Sequence, residues 1–153
     1  MQLTARSNYA MRLLMYCALV PERVTPVGEI ARAGNMSETH LAKIANDLAR
    51  LGYLDSVRGR GGGIRLARPA AEINLGEIVR ATELGRCLVE CFDPETNTCP
   101  LTAACRFRTI LGHAFDAFLA VLDGYTLADL VSERQRLADL LGLSTAAVPA
   151  PVA

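Results

Sequence analysis

The sequence has no long apolar run, and its first 24 residues do not resemble a signal peptide. No stretch reaches the roughly 18 consecutive apolar residues of a membrane-spanning helix. The amino-terminal segment contains Arg6 and Arg12, and it lacks both an uninterrupted apolar core and a small-residue cleavage site. We therefore expect a cytoplasmic protein that does not bind a membrane.

Histidine is scarce, since His40 and His113 are the only two in 153 residues. We expect His40 at the surface and His113 on a packed helix face, and we expect neither to be a metal ligand. Structural zinc sites usually contain cysteine pairs about two to four residues apart, and Cys91, Cys99 and Cys105 are spaced more widely. Five cysteines without an export signal favour metal or redox chemistry over a disulfide framework.

The net charge is zero, but charge is unevenly distributed along the chain. Residues 1–68 carry ten basic and five acidic side chains, a net charge of +5, whereas residues 69–153 carry six and eleven, a net charge of −5. A basic part is typical of a phosphate-binding surface, and an acidic remainder keeps a protein soluble. The asymmetry is compatible with DNA binding by residues 1–68.

The first predicted helix is amphipathic and ends at Pro21. Its apolar residues recur at three- and four-residue spacing, and Cys17 lies on that stripe. We therefore interpret Cys17 as a small core residue rather than a reactive thiol.

Residues 28–51 have the pattern of a helix-turn-helix. A short helix is followed by Gly34 and Asn35, which tolerate the left-handed conformation at a helix end. Ser37 then caps a second helix with a narrow apolar stripe and a polar opposite face. Such a polar face is typical of a recognition helix. The candidate DNA-contacting residues here are Ser37, Thr39, His40, Lys43 and Asn46.

Residues 53–67 predict a wing, which consists of strand 53–57, the turn RGRGGG and strand 64–67. Glycines allow the backbone to approach a phosphate or a groove floor, and an arginine at such a tip can enter the minor groove. A nucleotide-binding loop is the less favoured alternative because the Lys-Ser/Thr ending is missing. A plain solvated hairpin is the other alternative. The candidate DNA-contacting residues of the wing are Arg58, Arg60, Gly61, Gly62 and Arg65.

The second half of the chain predicts further helices over residues 75–84 and 107–122 and a short helix pair over 126–143. The tail 144–153 is expected to be disordered. The long helix carries an apolar stripe that needs a partner. Packing back onto the winged helix is the alternative to the homodimer that we expect. The stripe consists of Ile110, Leu111, Ala114, Phe115, Phe118, Leu119 and Leu122.

Three cysteines, Cys91, Cys99 and Cys105, occur in the run CFDPETNTCPLTAAC, which is rich in turn-forming residues. Thiolates are soft, anionic ligands for iron, and cysteines so close in sequence can meet at one centre. The run therefore predicts an iron-sulfur cluster. A zinc site and a metal-free thiol-disulfide switch remain alternatives.

The segments MQLT, VRGRGGGIRLARP, CPLTAACR and LDGYTLADLV resemble the Rrf-type winged helix-turn-helix iron-sulfur regulators, and within them a group of nitric-oxide-sensitive repressors. The resemblance covers most of the chain. It implies a homodimer with one cluster in each subunit, held by Cys91, Cys99 and Cys105. A sister group that regulates cluster biosynthesis has histidine where this chain has Arg108, which argues against that group.

The chain departs from the nitric-oxide-sensitive group at Asn8. The resemblance implies an aspartate there, which would complete a [4Fe-4S] site in the partner subunit, and a neutral amide is a poor iron ligand. The fourth ligand is therefore open between Asn8, Cys87, Glu90, Asp93 and a small exogenous molecule. We favour [4Fe-4S] over [2Fe-2S].

The sequence thus predicts a single domain over residues 1–143, with a DNA-binding part at 1–68 and a cluster loop and dimerisation part at 69–143. The expected function is transcriptional repression at a double-stranded DNA operator, relieved when nitric oxide attacks the cluster. No catalytic residues are expected. The alternatives are a regulator that senses cluster supply or redox state, and an iron-sulfur electron-transfer or assembly protein.

Overall fold

Seven helices and one two-stranded antiparallel sheet form residues 3–83 and 88–143, which are the residues that the computed structural model describes. Cys87 and the tail 144–153 lie outside the described residues. The predicted fold class, mainly helical with a two-stranded wing, is confirmed. The helices are α1 (Ala5–Leu19), α2 (Val27–Ala33), α3 (Glu38–Arg50), α4 (Leu75–Thr82), α5 (Arg106–Asp123), α6 (Leu127–Leu130) and α7 (Arg134–Leu140). The strands are β1 (Leu54–Val57) and β2 (Gly63–Leu66), and 3-10 turns cover Ala70–Glu72, Glu90–Phe92 and Thr102–Ala104.

Helix α1 forms the centre of the core because it packs against α3, α4, α6 and β2. Its side chains Leu13, Leu14 and Leu19 are fully buried. Thr4 caps the first turn, where its hydroxyl accepts a hydrogen bond from the backbone N–H of Ser7 at 3.3 Å. A change in the position of α1 would therefore displace both the recognition helix α3 and the wing strand β2.

The turn between α2 and α3 is held by α1, since the Arg12 guanidinium donates a hydrogen bond to the carbonyl of Gly34. Asn35 has a φ of 50°, so asparagine rather than glycine adopts the left-handed conformation in this turn. A Cβ atom at Gly28 would contact the carboxylate of Glu38. Glycine there lets the first turns of α2 and α3 approach closely.

The wing is attached to the core by a third strand segment. Thr25 and Ile64 exchange two backbone hydrogen bonds of 2.9 Å. At the end of the β1–β2 hairpin, Val57 lies opposite Gly63. A Cβ atom at Gly63 would overlap the carbonyl of Thr25, so this close approach requires glycine.

Helices α4 and α5 are joined by a two-point ion pair between Arg80 and Asp123, with both N···O distances at 2.6 Å. Asn74 caps α4, and its amide also donates to the carbonyl of Asp123 at 2.7 Å. A Cβ atom at Gly76 would overlap the Asp123 carboxylate. These contacts fix the carboxyl end of α5 against α4.

The apolar face of α5 is only partly covered in the single chain, and Leu119 is its one buried residue. The exposed fractions of Phe107, Ile110 and Val121 are 64%, 56% and 63%. Part of this apolar face therefore stays exposed in the single chain. Within residues 3–83 and 88–143, no helix is both long and apolar enough to cross a membrane.

Candidate DNA-binding face and cysteine loop

Helix α3 divides into a buried and an exposed face as the sequence predicts. Leu41, Ile44, Ala45 and Leu48 are buried. The hydroxyl of Ser37 caps the helix by accepting a hydrogen bond from the backbone N–H of His40 at 3.5 Å. The polar side chains that remain exposed on this helix are Glu38, Thr39, His40, Lys43, Asn46 and Arg50.

A cleft of about 430 Å³ lies between the first turn of α1 and the exposed face of α3. His40 and Lys43 line it, together with Arg6 and Asp47. Arg6 and Asp47 form an ion pair at 2.7 Å, and Arg50 approaches the same carboxylate at 3.4 Å. The ion pair ties the amino end of α1 to the recognition helix.

The wing tip presents Arg58 and Arg60 to solvent, and neither forms an ion pair with any described residue. Gly59 and Gly61 have φ angles of 100° and 81°, which side chains rarely adopt. Arg65 differs from the tip arginines because it pairs with Asp55 across the strands at 3.4 Å. Two of the three predicted wing arginines are thus free for phosphate contacts.

Cys91, Cys99 and Cys105 are free and half-buried in the loop between α4 and α5. Among the described residues, no three Cys, His, Asp or Glu side chains are close enough together to hold a metal ion. The loop thus contains the three thiols without bringing them to one centre. Their role as ligands stays a prediction.

Arg108 connects two of these cysteines. Its backbone N–H donates to the sulfur of Cys105 at 3.4 Å, so the thiol caps the first turn of α5. Its side-chain Nε–H donates to the carbonyl of Cys91 at 2.9 Å, and the guanidinium lies 5.9 Å from the Phe92 ring centre. The residue that departs from the sister group's histidine therefore holds the loop against α5.

Cys99 is positioned by a local hydrogen-bond network. Its backbone N–H donates to the side-chain oxygen of Asn97 at 3.1 Å, and its carbonyl accepts from the hydroxyl of Thr102 at 2.8 Å. The amide of Asn97 also donates to the Thr102 hydroxyl at 3.0 Å. These short-range contacts fix the backbone at Cys99 and leave its sulfur uninvolved.

The candidate fourth ligands differ in their exposure and in their hydrogen bonds. Both carboxylate oxygens of Asp93 accept hydrogen bonds, from the hydroxyl of Thr96 and the backbone of Glu95, and these bonds lower the pKa of Asp93. Glu90 accepts a hydrogen bond from Thr98 at 3.3 Å. Asn8 is exposed on the first turns of α1. Cys87 lies outside the described residues.

Glu83 is a candidate functional residue that the sequence did not reveal. Its carboxylate accepts hydrogen bonds from the backbone N–H and the hydroxyl of Thr4, both at 2.9 Å, and from the hydroxyl of Ser7. Ser7 is fully buried, and its hydroxyl lies 2.8 Å from that of Thr82. The residue that precedes the cysteine segment is therefore bound to the amino end of α1.

Cys17 is chemically distinct from the three loop cysteines. It is buried in the core, as the sequence predicts, and burial raises the pKa of its thiol to about 12. A neutral, inaccessible thiol is a poor metal ligand. Cys17 is therefore a structural residue.

Residues 3–133 match the family Rrf2, which is described as iron-dependent transcriptional regulator. The HTH-type transcriptional regulator NsrR of Geobacillus kaustophilus is 51% identical over 142 residues, which are 92% of this chain and 97% of that protein. Protein aau3 of Rhizobium meliloti is 47% identical over 143 residues, which cover 94% of this chain and 93% of that protein.

Solved structures show the same fold. The chain superposes on CymR, the global cysteine regulator of B. subtilis, with a TM-score of 0.66 and 25% identity over 87% of this chain and 98% of that one. An IscR of T. potens gives a TM-score of 0.70 with 22% identity, and 90% of each chain is covered. The resemblance expected from the wing and cysteine motifs is thereby confirmed, and the chain belongs to the Rrf2 family of transcriptional regulators.

Proposed function

We propose that this chain is a homodimeric transcriptional repressor that senses nitric oxide through an iron-sulfur cluster and releases its operator when the cluster is attacked. The name NsrR, shared by relatives at 45% to 51% identity over most of the chain, supports this function. One structural observation carries the proposal. The cysteine loop begins next to Glu83, which binds α1, and ends at Cys105, which caps α5.

The donor atoms of the loop fit an iron-sulfur cluster in their chemistry, although the described structure does not gather the three thiols at one centre. Cys91, Cys99 and Cys105 are half-buried thiols without disulfide partners, and they belong to a loop built from 3-10 turns rather than from a rigid helix or strand. When bound, the cluster supplies iron atoms that nitric oxide can attack. Cys105 lies at the amino end of α5, where the helix dipole favours negative charge on a ligand. A [4Fe-4S] cluster remains the favoured type.

The fourth ligand stays open in this proposal. Asn8 is exposed on the first turns of α1 and is the candidate from the partner subunit, although its neutral amide is a poor iron ligand. Cys87 is the alternative from the same chain. Asp93 is the poorer candidate, since both oxygens of its carboxylate already accept hydrogen bonds.

Operator binding would use α3 and the wing. Thr39, Lys43 and Asn46 are exposed on one face of α3, which suits base contacts in the major groove. Arg58 and Arg60 at the wing tip suit phosphate or minor-groove contacts. An iron-sulfur electron carrier needs neither feature, so a regulator accounts for more of the chain.

Dimerisation through α5 would cover its exposed apolar face, which includes Phe107, Ile110 and Val121. A symmetric dimer also presents two recognition helices, as two operator half-sites require. Because Asp123 at the end of α5 is held by Arg80 of α4, the spacing of the two DNA-binding parts would follow the α5 contact.

Anaerobic isolation of the wild-type protein and its cysteine variants tests the proposal. Cys17→Ala should contain as much iron and sulfide as the wild-type protein, whereas Cys99→Ala should contain neither. Cys99→Ala should also bind operator DNA no better than nitric-oxide-treated wild type does. Full iron and sulfide in a Cys91→Ala, Cys99→Ala, Cys105→Ala triple variant would contradict the proposed ligands. Cys17→Ala is the matched control because Cys17 is buried in the core.

A further inference from the structure

A second groove, of about 520 Å³, lies between the end of α1, strand β2 and the start of α7. It contains neither a cysteine nor a residue of the recognition helix, and its size suits a small metabolite. Three arginines and two acids provide the charged groups of its lining: Arg65, Arg68, Arg134, Glu22 and Asp55.

The positive charge in this groove exceeds the negative charge. Arg65 and Asp55 neutralise each other at 3.4 Å. Arg68 and Arg134 have no carboxylate within 4.0 Å among the described residues. Glu22 is the one acid of the lining left to balance them. The groove therefore attracts an anion.

Both unpaired guanidiniums are partly removed from water. Arg68 lies over the ring of Tyr53, 4.4 Å from its centre. Arg134 donates from Nη2 to the carbonyls of Ala18 and Leu19 at 3.1 and 3.0 Å, where it caps the end of α1. The Nε atoms of both arginines are buried without an acceptor among the described residues. Partial desolvation strengthens the attraction of a cation for an anion placed beside it.

We propose that this groove binds a small metabolite through an oxyanion group, a carboxylate or a phosphate, which Arg68 and Arg134 contact. Guanidinium groups present paired N–H donors that match the oxygens of either anion. The ligand contacts fall to the Nη atoms of Arg68 and to Nη1 of Arg134, because both Nε atoms are buried and Nη2 of Arg134 already donates to the carbonyls of Ala18 and Leu19. Glu22 repels the anion and so limits its affinity.

The test measures saturable binding of citrate and of inorganic phosphate to the full-length protein by titration calorimetry at constant ionic strength. The variants are Arg68→Gln, Glu22→Gln and the control Arg136→Gln, which changes an exposed arginine of α7 paired with Glu133. Arg134 is left intact because it caps α1. We expect Arg68→Gln to weaken binding about tenfold or more, Glu22→Gln to strengthen it, and Arg136→Gln to leave it unchanged.

Binding of citrate alone supports a carboxylate ligand, and binding of phosphate alone supports a phosphate ligand. No saturable binding of either probe up to about 10 mM would overturn the proposal, as would equal affinities in Arg68→Gln and Arg136→Gln. Glu22→Gln provides the independent readout if Arg68→Gln does not fold, and unchanged affinity in that variant would count against the site. Operator affinity is measured in parallel, because a loss confined to DNA binding in Arg68→Gln would assign the groove to the DNA backbone instead.

Discussion

The carboxylate of Glu83 accepts a hydrogen bond from the hydroxyl of Ser7, 76 positions earlier in the chain. Glu83 also accepts from Thr4, which caps α1, and thus binds the first turn of that helix at three donors. The same helix reaches the recognition helix through the ion pair of Arg6 with Asp47. A movement at the start of the cysteine segment would therefore reach the DNA-binding face through α1.

Glu83→Gln should reduce the effect of nitric oxide on operator affinity. A neutral amide accepts weaker hydrogen bonds from Thr4 and Ser7, so α1 follows the cysteine loop less closely. We expect the coupling free energy to fall by about 1 kcal/mol while iron and sulfide content stays that of wild type. Operator titrations before and after nitric oxide treatment measure this coupling.

Glu95→Gln is the control for that experiment, since Glu95 is exposed in the same loop and its side chain contacts none of these residues. Equal coupling in wild type and Glu83→Gln would show that α1 does not transmit the signal. A loss of the cluster in Glu83→Gln would place the residue in cluster binding instead.

Replacing Arg58 and Arg60 together by Ala should weaken binding to all DNA sequences alike. Each phosphate contact that is lost should lower the slope of log affinity against log salt concentration by roughly one unit. Arg136→Ala, at the exposed surface of α7, is the control. Band shifts at several salt concentrations measure this slope. If the double variant bound DNA like wild type, the wing would not contact DNA.

Asn46→Ala should act differently from the wing variants. A base-reading side chain on α3 contributes about 1 to 3 kcal/mol of discrimination at one base pair and little salt dependence. Affinities for operator variants with single substitutions measure this discrimination. Uniform weakening across all sequences would instead assign Asn46 to the DNA backbone.

A charge on the apolar face of α5 should prevent dimerisation. Ile110 is 56% exposed in the single chain, and burial of a glutamate in its place would carry a desolvation cost that the interface cannot offset. We expect Ile110→Glu to be monomeric in light scattering, whereas Asp116→Ala should remain dimeric. A dimeric Ile110→Glu would exclude this face as the interface.

The free energy of unfolding should fall above about pH 9, in part because of Cys17. Burial raises the pKa of its thiol from 9.0 to about 12, so the folded state keeps a proton that the unfolded chain loses in this range. The contribution of Cys17 to stability is thus fully present below about pH 9 and is lost between pH 9 and pH 12, with a slope that approaches about 1.4 kcal/mol per pH unit. The free energy of unfolding, measured with urea, should decrease less steeply with pH between pH 9 and 10 in Cys17→Ala than in wild type. An unchanged slope would mean that Cys17 titrates normally.

Local patterns predicted the bounds of the two long helices α3 and α5 closely. The recognition helix expected over residues 38–51 is α3, Glu38–Arg50, because its three- and four-residue apolar spacing and the Ser37 cap both act within a few residues. The long helix expected over residues 107–122 is α5, Arg106–Asp123, for the same reason. Its exposed apolar face also agrees with the expectation that the stripe needs a partner.

Long-range contacts were beyond the sequence patterns. The binding of Glu83 to Ser7 and the exchange of hydrogen bonds between Thr25 and Ile64 join residues with no characteristic spacing. The pairing of Arg65 with Asp55 was also missed, because register is set by the turn and not by the charges. The spacing of the three cysteines predicts that the loop binds a cluster. The positions of their sulfur atoms around that cluster depend on the bound metal as well as on the chain.

Titration of the anaerobic protein with nitric oxide tests the central claim most directly, because cluster absorbance and operator affinity can be followed in one sample. We expect operator affinity to fall at least about tenfold, which corresponds to roughly 1.4 kcal/mol, in step with the loss of absorbance. Cys99→Ala should show no response to nitric oxide. Equal operator affinity before and after complete loss of the cluster absorbance would contradict the sensor mechanism, even in a protein whose three loop cysteines hold the cluster.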